Sequence, residues 1–227
     1  MGKTKTISLS NSLDLFTDIN NPLLILSGDS PTSTCTLNST KENSQNENEN
    51  KILPAIPVES LGDESFRNTY GVRCAFYAGA MANAIASAEM VIALGKVGLM
   101  GSFGAAGLVR TKLEAVVDQI QTALPNGPYA FNLIHSPNEE ALERNAVEVY
   151  LNKKVRVVEA SAYLDLTPSI VLYRASGLTK NPDGSVKIVN RVIAKLSRTE
   201  VAEKFMSPAP TKILDILVTE GKITSEQ

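Results

Sequence analysis

Hydrophobic patterning divides the chain into two regimes. Up to residue 51 apolar positions are sparse: PLLIL at 22–26 is one short run, closed by the turn residues SGDSP. Residues 30–51 (SPTSTCTLNSTKENSQNENENK) offer almost nothing to bury. Such a segment cannot offset the entropy of ordering. Residues 1–50 are therefore predicted to be a mostly disordered extension and linker with a single anchored strand, and residues 51–227 the folded domain. Beyond residue 51, short apolar runs alternate with segments of helical period. Strands are predicted at 73–81 (RCAFYAGAM), 99–103, 129–134 (YAFNLI), 155–161 (VRVVEAS) and 191–196 (RVIAKL).

Helices fill the intervals. The first is predicted over 84–96, with Ile85, Ala88 and Ile92 on one face, and the second carries Leu113, Val116, Val117, Ile120 and Leu124. A third starts at Ser136 and Pro137 with Glu139 as its capping acid, and lines Leu142, Ala146, Val149 and Tyr150 inward. Thr167 and Pro168 open a short helix that ends at Gly177, and the turn NPDG (181–184) follows. Ser197 with Glu200, and then Pro210, start two more, the last with Ile213, Leu214 and Leu217 inward. Strands alternating with helices imply parallel βαβ units with right-handed crossovers. Five units leave two architectures open, a doubly wound sheet or the opening arc of an eightfold barrel. Thr224 and Gln227 stand at capping-box spacing, as where a helix begins, so the fold is expected to be cut short.

Composition narrows the class. With 43% apolar and 20% charged residues, a collagen, a coiled coil and wholesale disorder are excluded. A net charge of −2 gives no electrostatic footprint for nucleic acid. Cys35 and Cys74, the two cysteines, are too far apart for a disulfide framework or a paired-cysteine metal site, so no metal is expected. No apolar run approaches the ~20 residues of a membrane span. The polar start MGKTKTISLSNS does not read as a secretory signal, and Gly2 is a chance myristoylation match. A cytoplasmic protein is expected.

Candidate chemistry gathers at strand ends. YAGAMANAIAS (77–87) is rich in small residues, which let a flat ligand approach the backbone, although its spacing is not a dinucleotide fingerprint. GLMGSFGAAGL (98–108) is a second small-residue cluster, read either as a phosphate cradle or as a tight rim turn. Asn132 ends an apolar strand, where an amide needs hydrogen-bond partners. His135 is the chain's single histidine, a proton donor or a structural group. Lys195 sits near the end of the fifth strand, and Glu159 and Asp165 are acids with no evident partner.

The string LGDESFRNTYGVRCAFYAGAMANAIASAEMVIALGKVGLMGSFGAAGL, with YAFNLIHSPNEEALE and RVVEASAYLDLTPSIVLYRASGL, resembles one family over residues 53–227. It is that of the trans-acting (PfaD-like) enoyl reductases of polyunsaturated fatty acid and polyketide synthases, within the nitronate monooxygenase-like flavoproteins. The resemblance implies an FMN-linked TIM (β/α)8 barrel, here incomplete at about five βα units. It implies hydride transfer from NADPH or NADH through FMN to the double bond of an enoyl thioester on an acyl carrier protein. The ring would lie on Gly79, Ala80, Met81 and Ala82 and against Asn132, with Lys195 as a flavin or substrate contact. The family's catalytic histidine and phosphate loops fall beyond the chain end, so the chain alone is expected to be inactive and to bind FMN weakly; His135 is a weak catalytic candidate. A fatty acid or polyketide synthase is the implied partner, and a homo-oligomer or a complementing carboxyl-terminal half completes the expected assembly. A nitronate monooxygenase is the alternative enzyme, and a split half or pseudoenzyme docking to a synthase the alternative without catalysis.

Overall fold

The computed structural model describes residues 5–8, 23–25, 32–35, 51–53 and 55–227. Most of the linker predicted over 30–51 lies outside these residues. Contacts divide the chain into two units, one of residues 1–69 and 73–75, the other of residues 70–72 and 76–227.

In the first unit, four short strands replace the single strand expected from sequence: β1 (Lys5–Ser8), β2 (Leu23–Ile25), β3 (Thr32–Cys35) and β4 (Lys51–Leu53). They pair antiparallel, β1 with β3 and β2 with β4. The β-branched residues of KTIS and TSTC favour extended backbone even where little is apolar. A helix, α1 (Glu64–Tyr70), follows Asp63, whose carboxylate accepts the Ser65 N–H at 2.6 Å.

The second unit is built on five parallel strands: β5 (Tyr77–Ala78), β6 (Met100–Phe103), β7 (Ala130–Ile134), β8 (Val157–Ser161) and β11 (Arg191–Ala194). Their order is β11-β8-β7-β6-β5, sequential across the sheet. Helices α2 (Ala88–Lys96), α3 (Arg110–Ala123), α4 (Glu140–Asn152) and α5 (Pro168–Ala175) connect them. A hairpin of β9 (Leu178–Lys180) and β10 (Val186–Ile188) turns at Asn181–Gly184, and α6 (Thr199–Met206) and α7 (Thr211–Thr219) complete the unit.

Period-two alternation assigns the sheet's faces. Phe103, Phe131, Leu133, Val158 and Ala160 pack into the helix-side core with Val117, Ile120, Val147 and Tyr150. Phe131 stands 5.6 Å from both the Phe103 and Tyr150 rings. Each such side chain, removed from water, contributes about 1.5–3 kcal/mol. The alternate residues, Ser102, Asn132, Glu159 and Ser161, form the opposite face.

That face is concave. Glu159 on β8 accepts a hydrogen bond from the backbone N–H of Ala80, just past β5, at 2.9 Å. Strands β7 and β6 intervene, so a flat sheet would separate the two by about 14 Å, three spacings of ~4.8 Å. One carboxylate cannot span that distance unless the sheet curls. The five strands are thus an arc of a (β/α) barrel, with β5 and β11 at its edges among the described residues.

Several boundaries differ from expectation. The first strand shrinks from 73–81 to Tyr77–Ala78, and α2 starts at Ala88 rather than at 84. Asn83 and Ala84 take φ of +55° and +58°, which breaks helical continuation and leaves Ile85 exposed; Ser87 caps α2 by accepting from the Met90 N–H at 3.3 Å. Ser136 and Ser197 do not cap: α4 follows Glu139 and α6 follows Arg198, neither with a side-chain cap. Thr167 does, accepting from the Ile170 N–H with Pro168 at the first turn. Gln227 Oε1 accepts from the Thr224 N–H at 3.0 Å, one half of the capping-box contact.

Candidate active site

At the carboxyl ends of the strands, polar groups converge on the concave face. Asn132 and Glu159 are register partners on β7 and β8. The Glu159 side chain is fully buried. Its Oε2 takes the Ala80 N–H, and its Oε1 takes the Lys195 ammonium at 2.7 Å. One carboxylate therefore joins the loop after β5 to the residue just past β11. The Asn132 amide donates to the Glu159 carbonyl at 3.2 Å and to the Ser161 hydroxyl at 2.9 Å, and Tyr150 donates to the Asn132 carbonyl at 2.6 Å. Both donors of the amide are committed to β8. Its Oδ1 carries no hydrogen bond among the described residues, so the group presents an acceptor.

The loop after β5 rests on the loop after β6. Asn83 and Ala84 donate backbone N–H groups to the carbonyls of Ala106 and Gly104 at 2.8 and 2.9 Å, and Gly104 returns one to Ala86 at 3.0 Å. The approach is close enough to require glycine: a Cβ on Gly104 would lie 1.6 Å from the Met81 carbonyl oxygen. The second small-residue cluster is therefore a rim turn supporting the first. Gly79, Met81 and Ala82 are exposed, and a Cβ on Gly79 would sit 3.8 Å from Glu159 Oε2. The loop thus offers open backbone directly over a buried anion that Lys195 neutralises. Burial, and then Glu159, push the Tyr77 phenol up from its ordinary value.

Of the residues singled out from sequence, Gly79, Ala80, Asn132 and Lys195 are brought together through Glu159. Met81 and Ala82 lie on the same loop, with Met81 58% exposed. Glu159 and Asp165 do have partners: Asp165 pairs with Lys204 at 2.7 Å, and that bond holds its carboxyl below the usual range. Sequence separation hid both partners, since Lys195 and Lys204 follow their acids by 36 and 39 residues. The Ser102 hydroxyl is buried without a partner among the described residues.

His135 belongs to an adjoining group. Its backbone N–H donates to the Ser161 carbonyl at 3.0 Å, and its Nδ1 lies 3.0 Å from Glu143 Oε2. Glu143, which sequence reasoning missed, also accepts from Tyr163 at 2.9 Å and from the Thr167 hydroxyl. A cavity of about 230 Å³ beside it is lined by Leu108, Asn132, Ile134, Leu142, Glu143 and Ala146, among others. No helix among the described residues is long and apolar enough to cross a membrane.

No family model matches the chain. A polyunsaturated fatty acid synthase protein of Thraustochytrium sp. is 54% identical over 176 residues, covering 78% of this chain and 12% of that protein. The polyketide biosynthesis protein PksE of Bacillus subtilis is 42% identical over 177 residues, 78% of this chain and 23% of the other. The solved enoyl reductase domain of MlnA, from the macrolactin biosynthesis cluster of Bacillus amyloliquefaciens, superposes with a TM-score of 0.72 at 42% identity. The match covers 75% of this chain and 39% of that one. The chain thus spans between about a tenth and two fifths of the length of the proteins it matches. Over that part it is similar to an enoyl reductase domain and to proteins of polyunsaturated fatty acid and polyketide biosynthesis.

Proposed function

We propose that the chain forms the flavin seat of an FMN-dependent enoyl reductase that acts in trans. It would serve acyl-carrier-protein-bound enoyl thioesters in polyunsaturated fatty acid or polyketide biosynthesis, with NADPH or NADH as hydride donor. The observation that carries this reading is the carboxylate bridge. Glu159 holds the Ala80 N–H on one side and Lys195 on the other, beneath exposed small-residue backbone. Bound FMN would supply two-electron redox chemistry.

The residues present fit such a ring. The exposed residues Gly79, Met81 and Ala82 leave room for a planar face. The Asn132 Oδ1, its amide donors already spent on β8, can accept from a ring N–H but has nothing to donate. The Lys195 ammonium, half exposed and held by Glu159 at 2.7 Å, would supply positive charge to the polar edge of a bound ring. Positioning these groups before a ligand arrives is what the curled sheet contributes.

An FMN titration followed by amide NMR tests the reading. Weak binding is expected, with shifts confined to the Gly79–Ala82 backbone and the Asn132 side-chain amide, and lost in Gly79→Val. Shifts elsewhere, or none at millimolar flavin, refute it. Similarity to proteins of fatty acid and polyketide biosynthesis favours the synthase reading over a nitronate monooxygenase. NADPH consumption on crotonyl-pantetheine against a nitronate separates the two.

A further inference from the structure

The His135 group stands apart from the seat and is arranged for proton transfer. Glu143 lies in the first turn of α4, only 4% of it exposed; Tyr163 and Thr167 donate to its Oε1, and His135 Nδ1 lies 3.0 Å from its Oε2. With Oε1 already taking two hydroxyl donors, Oε2 faces the ring as an acceptor. Nδ1 of His135 must therefore carry a hydrogen. In the neutral ring that fixes the lone pair on Nε2, a tautomer set by the partner and not by the imidazole itself. Tyr163 covers one ring face, stacked at 5.3 Å and 26°, and Phe205 of α6 packs edge-on against Tyr163. Nε2 has no hydrogen bond among the described residues, and the side chain keeps 17% exposure.

Two observations connect this ring to the seat. Ser161 accepts the His135 backbone N–H with its carbonyl and the Asn132 amide with its hydroxyl, so both residues are held by one strand end. Asn132 and Glu143 also line the same cavity. A carboxylate beside one nitrogen of an imidazole, whose other nitrogen has no partner among the described residues at a partly exposed ring edge, is the arrangement general acid–base chemistry needs.

We propose that His135 is the residue that exchanges a proton with the α-carbon of the thioester, and that Glu143 is its positioning residue. The proposal rests on the enoyl reductase reading. Saturating the double bond requires a hydride at Cβ, from a dihydroflavin, and a proton at Cα. The Nε2–H bond of the imidazolium breaks and its electron pair stays on nitrogen. The enolate pair forms the Cα–H bond, leaving neutral imidazole and Glu143 unchanged. Water at the exposed ring edge restores the proton.

The proton step can be read without any redox turnover, as exchange of the Cα hydrogens of butyryl-pantetheine in D2O. The wild-type chain is expected to accelerate this exchange. His135→Gln should lower the rate ~100-fold, within the range of acid–base contributions. Glu143→Gln should lower it about tenfold or more. Because the chain has one histidine, its ring gives a single 15N–1H correlation set. The Nδ1–H tautomer is expected in the wild type and a mixture in Glu143→Gln, with near-UV circular dichroism confirming that both variants fold. A wild-type Nε2–H tautomer, no accelerated exchange, or equal exchange in folded His135→Gln overturns the assignment. The FMN shifts at Gly79–Ala82 report separately on the seat.

Discussion

At the scale of single residues, Glu159 governs the site. It is a fully buried anion with two donors, Lys195 and the Ala80 N–H. Lys195→Met leaves the charge with the Ala80 N–H alone, and the cost is expected to be about 1–3 kcal/mol in urea unfolding. Adding Glu159→Gln removes the unpaired charge and should recover part of that loss, giving a favourable coupling in the double-mutant cycle. Additive losses would show that the pair does not interact. Gly104→Ala sets a Cβ against the Met81 carbonyl and is expected to cost roughly 1–3 kcal/mol. The same variant should displace the Gly79–Ala82 amide resonances. Asn132 and Lys195 were legible in the sequence because a polar residue at the end of an apolar strand is anomalous. Glu159 was visible but unpaired there, because its lysine becomes a neighbour only when β8 and β11 align in register.

At the scale of elements, caps and turns decided what could be read. Thr167-Pro168 carries both a side-chain acceptor and a preset φ, and α5 starts there. Ser136 has the right spacing to Glu139, but its carbonyl takes the Glu139 N–H in a turn, so the helix begins only at Glu140. Glu143 in that first turn faces the buried cluster instead of solvent. The β9–β10 hairpin was missed because most of its residues are exposed and carry no alternation; the NPDG turn was its one signal. Thr167 has two tasks, capping α5 and donating to Glu143. Thr167→Ala is therefore expected to lose more than the ~1 kcal/mol of an ordinary cap. Thr167→Ser should stay within a few tenths of wild type, measured by chemical denaturation. An alanine loss no larger than that of a bare cap would remove Thr167 from the Glu143 group.

At the scale of the whole molecule, the hydrophobic pattern left an open sheet and a barrel arc both possible, since both are built from the same βαβ units, and the resemblance alone pointed to the barrel. The reach of Glu159 to Ala80 shows the curl, a long-range contact that no local pattern encodes. The curl places the helices outside, and three tyrosines are buried on that side: Tyr150, Tyr163 and Tyr173. Burial pushes all three phenols far above the ordinary value of 10, and for Tyr163 the Glu143 anion adds to it. The folded state therefore keeps protons that the unfolded chain releases near pH 10. Their contribution to stability is complete below that pH and is lost as pH rises above it, by up to about 1.4 kcal/mol per tyrosine per pH unit. Absorbance at 295 nm should rise in two stages on alkaline titration. The more exposed phenols ionise first, and Tyr150, Tyr163 and Tyr173 follow only as far-ultraviolet circular dichroism collapses. If all six tyrosines of the chain ionise near pH 10 with the helices intact, the helix-side core is not packed as described.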